Sequence, residues 1–252
     1  MLEQRVAIEG GAILAEASES GNAATAWFFA HPAFDSIAAE AGQVSVTKGR
    51  GGAFFVDVAG HRWVTRPYRR GGFIANFSRN RYLWTGEERV RSFREWRTLA
   101  ALSALGLPVP KPVAARYRRL GWTYRADLIT ERLEATEPLS ARLEIEPLSL
   151  TLWIETGRVL RRLQDAGAYH ADLNAHNILI DSSNRVFVVD FDRGSIRRPG
   201  PWRDANLARL YRSLRKVSAP LAPDRFGNTE WETLLAGYRS LPAAAGAAPG
   251  PA

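Results

Sequence analysis

The chain has no cysteine and one methionine, and among its 34 basic residues only Lys48, Lys111 and Lys216 are lysines. Without thiols there is neither a disulfide framework nor a thiolate metal site. Four scattered histidines do not make a zinc site either. Long hydrophobic runs are missing: no segment approaches the roughly 18 apolar residues that span a bilayer. The opening stretch, MLEQRVAIEGGAILAEASES, lacks the basic and apolar regions of an export signal. These absences lead to the expectation of a soluble or membrane-surface protein of the cytoplasm.

What is present is a chain able to bury a sizeable core, with 46% hydrophobic residues in 252. The formal charge is +8 and arginine carries it. Between His61 and Arg97 there are ten arginines against Glu87, Glu88 and Glu95, a local excess of seven. Guanidinium groups fork onto phosphates and carboxylates, so an anionic partner and a solvated arginine-rich face are both open readings. A cationic substrate is disfavoured.

Residues 43–68 alternate short apolar runs with glycines and read as three strands of an antiparallel sheet, with a turn near Gly60. Val90, Phe93, Ala100 and Ala104 recur at helical spacing before Gly106. AARYR and ADLITE are two further strand candidates. After a polar connection at 133–140, Leu152, Thr156, Val159, Leu160 and Leu163 share one helical face that ends at Gly167. A last amphipathic helix, DANLARLYRSLRKV, sets Leu207, Leu210, Tyr211, Leu214 and Val217 against Arg209, Arg212, Arg215 and Lys216. The expected organisation is α+β: a β-rich N-terminal lobe with one main helix over 1–133, a mostly helical C-terminal lobe over 134–241, and a low-complexity tail over 242–252. A cleft between lobes is the expected ligand site.

The costly polar groups concentrate in YHADLNAHNILID and VVDFDRG, which otherwise read as core. NILI and VFVV, joined by DSSNR, form a predicted hairpin that brings Asn177 close to Asp190. An amide oxygen and a carboxylate are hard ligands suited to Mg²⁺. A second carboxylate left off the metal accepts a hydroxyl proton.

HADLNAHNILI followed by VVDFDRG resembles the catalytic loop and metal motif of the protein-kinase-like fold. By that likeness Asp172 is the catalytic base, Asn177 and Asp190 are Mg²⁺ ligands, and His170 supports the loop. KGRGGAFF resembles the glycine-rich phosphate loop, with Gly49, Gly51 and Gly52 where backbone N–H groups approach ATP. The third strand has no lysine, and Arg66 takes its place with Glu95 as partner; Lys48 competes for the same phosphates. The backbone from Glu131 to Leu133 is expected at the adenine edge. Asn174 stands where a lysine is usual two residues after the base, and is counted with the catalytic group. Asp192 replaces the usual glycine and either reaches the metal or bonds an arginine. No activation segment follows Gly194, which favours a small-molecule or glycolipid kinase over a regulated protein kinase.

Within that fold, RPYRRGGFIANFSRNRYLW, SFREWRTLAALSALGLPVPKPVAARY and WRDANLARLYRSLRKV, with the two motifs above, resemble the bacterial 3-deoxy-D-manno-octulosonic acid (Kdo) kinase family. That resemblance implies ATP-dependent phosphorylation of the Kdo 4-hydroxyl on a lipid A precursor, in lipopolysaccharide core assembly. It implies peripheral contact with the cytoplasmic face of the inner membrane and no nucleic-acid partner. The arginines would then hold the anionic headgroup. Phe73, Phe77, Tyr82 and Trp84 would touch acyl chains or pack the core, and the basic helix at 206–217 would lie on the membrane or cap the C-terminal lobe. Rival readings are another kinase-like phosphotransferase, a nucleic-acid-binding module and a nucleotide-binding pseudokinase.

Overall fold

A computed structural model describes residues 2–31, the backbone of 45–48, and residues 53–58, 60–68 and 81–240. The chain forms two compact units, Met1–Ala101 with Pro110–Arg132, and Leu102–Val109 with Leu133–Ala252.

The first unit is an antiparallel sheet. Its strands are β1 (Glu3–Ile8), β2 (Gly11–Glu16), β3 (Ser45–Lys48), β4 (Phe54–Val58), β5 (His61–Pro67), β6 (Tyr82–Leu83), β7 (Pro112–Leu120) and β8 (Thr123–Glu131), and its helices are α1 (Glu19–Ala30) and α2 (Arg91–Ala104), whose end from Leu102 groups with the second unit. The strand order is β1-β2-β7-β8-β5-β4-β3, with β6 pairing β8. Side chains alternate between the faces of a strand, and this alternation sorts the two helices onto opposite sides. Arg116 on β7 points to α1, where its guanidinium donates to the Phe28 and His31 carbonyls. The next residue, Tyr117, meets Phe93 of α2 edge to face. On the α1 side Ile13, Trp27, Phe28, Trp63, Val113 and Ile129 form one buried cluster.

The second unit holds β9 (Thr136–Pro138), α3 (Leu139–Ile145), α4 (Leu150–Asp165), β10 (Ala168–Tyr169), β11 (Ile178–Asp181), β12 (Val186–Val188), β13 (Ser195–Ile196), α5 (Trp202–Ser218) and α6 (Asn228–Arg239). Helix α4 starts where the Ser149 hydroxyl accepts the Leu152 N–H at 3.3 Å. It buries Leu152, Thr156, Val159, Leu160 and Leu163, the face read from the sequence. Paired glycines let α4 and α6 approach backbone to backbone. A Cβ on Gly157 would lie 2.0 Å from the Leu234 carbonyl oxygen, and one on Gly237 2.1 Å from that of Ile154. Gly157→Ala is therefore expected to cost about 1–3 kcal/mol as overpacking, read as a lower urea midpoint at unchanged slope.

Candidate active site

In the first unit the candidate residues begin on β5. Trp63 faces the α1 cluster, so Arg66 points to the other face and toward α2. There its Nη2 meets Glu95 Oε1 at 2.5 Å. Glu95 is almost fully buried and takes the Tyr68 hydroxyl on its second oxygen. A buried carboxylate needs such charge-assisted partners, and the expected Arg66–Glu95 pair is present. Lys48 pairs through its backbone with Phe54 at the end of β3. Its side chain, Gly49, Gly51 and Gly52 lie outside the described residues. Glu131 closes β8, donating its N–H to the Lys111 carbonyl, while Arg132 N–H goes to the Arg62 carbonyl. The Leu133 carbonyl accepts the Thr136 hydroxyl.

Several side chains of the arginine-rich stretch already have partners within the first unit. Besides Arg66, Arg97 forks onto Glu3 and pairs with Glu88, and Arg91 lies over the Tyr82 ring at 4.5 Å. Tyr82 is buried, and Trp84 stacks on Tyr117, so these two aromatics belong to the packing. Phe73, Phe77, Arg69, Arg70 and Arg79 lie outside the described residues.

In the second unit one loop carries several candidate residues, and short hydrogen bonds tie it together. His170 is buried. Its Nε2–H donates to the Val189 carbonyl at 2.9 Å, and its Nδ1 accepts the Asp172 N–H at 3.1 Å. Asn174 Nδ2 donates to both the carbonyl and Oδ2 of Asp172, at 3.0 and 3.1 Å. Its Oδ1 accepts the N–H groups of His176 and Asn177. A lysine, having no acceptor, cannot do this; Asn174 therefore braces the loop in a way the usual lysine would not. Asn177 Nδ2 donates to the Asp172 carbonyl at 3.0 Å, which orients the amide and leaves Oδ1 as its acceptor. The β11–β12 hairpin is present, with Ile178 opposite Val188. Val189 N–H reaches the Asn177 carbonyl at 2.9 Å, so Asp190 follows directly on a residue bonded to the loop.

Asp190 sits in the left-handed region at φ 65°, a conformation Asp and Asn tolerate better than most residues. Beyond it, Gly194 N–H closes on the Phe191 carbonyl at 2.6 Å and Arg193 has φ 58°. The segment is a tight turn. The strand-like alternation that would aim Asp190 and Asp192 the same way does not hold here, because the chain reverses at Asp192 and Arg193.

Helix α5 grips this loop with one face, at a spacing of three and four residues. Asn206 accepts the His170 N–H and donates to its carbonyl, Arg209 Nη1 lies 3.2 Å from Asp172 Oδ1, and Ser213 accepts the Ala175 N–H. Sequence reading placed Arg209 on the polar face of this helix but missed its role. The absent lysine left a cation unaccounted for near Asp172, and that was the available signal. Burial pushes the His170 pKa below its ordinary 6.5. The unfolded chain then takes up the proton first, so this stability is full above about pH 6.5 and declines as the pH falls below it. Urea midpoints between pH 7 and 5 are expected to fall further for the native chain than for His170→Gln.

Comparison with known proteins decides the family. The lipopolysaccharide kinase (Kdo/WaaP) family model matches residues 36–238. The chain belongs to that family. It is 49% identical over 170 residues to the 3-deoxy-D-manno-octulosonic acid kinase of Xanthomonas campestris pv. campestris (strain B100), covering 67% of this chain and 68% of that one. The corresponding enzyme of Stenotrophomonas maltophilia (strain K279a) is 48% identical over the same shares. That of Xylella fastidiosa (strain M12) is 46% identical over 177 residues, 70% of this chain and 71% of that one. The solved structure of WaaP in complex with acyl carrier protein superposes with a TM-score of 0.54 at 20% identity, over 83% of each chain. The fold of this Kdo/WaaP family member is thus α+β and protein-kinase-like, and the chain is a phosphotransferase.

Proposed function

We propose that this Kdo/WaaP family member transfers the γ-phosphoryl group of ATP to the 4-hydroxyl of Kdo on a lipid A precursor. The reaction would serve lipopolysaccharide core assembly at the cytoplasmic face of the inner membrane. The observation that carries the reading is the loop around Asp172. Arg209 and Asn174 each hold one of its carboxylate oxygens, in a chain 49% identical over 170 residues to a named Kdo kinase. The names of those relatives support Kdo as the phosphate acceptor.

In this reading the sugar hydroxyl oxygen attacks the γ-phosphorus, Asp172 accepts the hydroxyl proton, and ADP leaves with the electrons of the broken P–O bond. Asn177 Oδ1 and the Asp190 carboxylate are hard donors that fit Mg²⁺, and the oriented Asn177 amide supports the fit. The ion, when bound, neutralises phosphate charge. Arg66, held by Glu95, serves the α- and β-phosphates, and Asp192 either joins the metal or bonds an arginine. With the Glu131 and Arg132 N–H groups engaged in the sheet, adenine recognition falls to the Leu133 backbone.

The test is phosphate transfer from ATP to a detergent-dispersed Kdo-bearing lipid A precursor, with the product mapped by mass spectrometry and NMR. Phosphate on the Kdo 4-hydroxyl is expected. Phosphate on another sugar, or none, would overturn the assignment.

A further inference from the structure

Among the described residues of the first unit, three large apolar side chains stand in solvent at one corner of the sheet. Trp122 is 85% exposed, Leu83 67% and Leu120 43%. Register explains why they meet. Leu83 lies opposite Thr123, and Thr123 lies opposite Leu120, so the two leucines flank one threonine on a single face. Arg118 and Arg125 form the pair two positions along the same ladder, and Arg81 precedes Leu83 by two residues. Two guanidinium positions therefore share the face with the leucines, and Arg81 lies just before β6.

The corner is braced. Trp84 N–H donates to the Trp122 carbonyl at 2.9 Å, the Thr123 hydroxyl to the Leu120 carbonyl, and Arg119 Nε to the Gly121 carbonyl. Arg119 also lies over the Trp84 ring at 5.3 Å. Nothing in this bracing uses the Trp122 indole. On this face Glu9 lies 3.8 Å from Arg118.

An exposed indole held out on a stiff turn, next to two leucines and several arginines, is a convex feature. Three side chains fall well short of the roughly 800 Å² that each partner buries in a stable protein interface. Tryptophan favours the headgroup level of a bilayer, and arginines near it are drawn to anionic lipid. We infer that the β7–β8 turn with β6 is a membrane-contact element that seats Trp122, Leu83 and Leu120 in the headgroup layer of an anionic phospholipid bilayer. The surface goes beyond the catalytic reading and does not depend on it.

The test is flotation with vesicles of phosphatidylethanolamine and phosphatidylglycerol, beside vesicles of phosphatidylcholine alone. The full chain is expected to float with the anionic vesicles and much less with the neutral ones. Trp122→Ser combined with Leu83→Ser should weaken binding about tenfold or more. Arg81→Gln with Arg118→Gln should weaken it mainly at low salt. Ile145→Ser, at an exposed apolar position in the second unit, should leave it unchanged. Should the double serine variant fail to fold, Trp122→Ser alone carries the test. Native-like flotation of the serine variants, equal binding to both vesicle types, or equal loss in Ile145→Ser would overturn the inference. Phosphate transfer to the detergent-dispersed acceptor, measured on the same proteins, keeps the two readings apart. Its absence from the native chain would sink the catalytic assignment and leave the vesicle result standing.

Discussion

Asp172→Asn is expected to bind ATP about as well as the native chain and to turn over about 10² to 10⁴ times more slowly, the loss typical of a general base. The amide keeps the shape of the side chain and an oxygen for Arg209, but it cannot take the proton of an attacking hydroxyl. Calorimetry with Mg·ATP and steady-state transfer to the Kdo-bearing acceptor separate the two effects. Native turnover in Asp172→Asn would refute the base assignment. Arg209→Gln should lower turnover less, since Asn174 still holds the other oxygen, and Arg209→Lys should recover part of it. A pair this exposed contributes through orientation, with little effect on stability.

Asp127→Ala is expected to lower folding stability by about 3–5 kcal/mol, because it strands a buried guanidinium. Asp127 Oδ2 takes both Nε and Nη2 of Arg116, at 3.0 and 2.6 Å, and both side chains are almost completely shielded from water. The same guanidinium holds the C-terminal end of α1 through the Phe28 and His31 carbonyls. Loss of Asp127 should therefore loosen α1 first. Urea denaturation gives the magnitude, and amide exchange across 19–31 locates it. Replacing both partners by apolar residues of similar volume should recover only part of the loss, because the Phe28 and His31 carbonyls then lose their donor. A single variant within 1 kcal/mol or so of the native chain would contradict this account, given the usual cost of a lone buried charge.

The parts of the fold legible in the sequence were those whose pattern repeats locally. Three strands over 43–68, helices α2, α4 and α5, and the β11–β12 hairpin each carry several apolar residues at the right period. The hydrogen-bonded loop at 170–177 stood out because polar residues interrupt apolar runs there. By contrast, β1, β2 and α1 gave no such signal. Helix α1 buries Gly21 and Ala24 with Trp27 and Phe28, and two small residues give little hydrophobic contrast. Helix α6 buries only Leu234 and Gly237. Residues 102–109 group with the second unit, where the Pro108 carbonyl accepts the Val188 N–H. Long-range bonds of this kind, like Arg209 to Asp172 and Arg116 to Asp127, depend on register and packing that local pattern does not encode. Trp122 was likewise unreadable, since neighbouring aromatics at 82 and 84 are buried or stacked while it is not.

Only seven residues separate Gly194 from the start of α5, and that helix then fastens His170, Asp172 and Ala175 in turn. In the proposed reaction the chemistry is consequently wired to the docking of a single rod. Mild heating that frees α5 would silence the enzyme while the sheet of the first unit still stands, so inactivation and melting of that sheet need not share a midpoint.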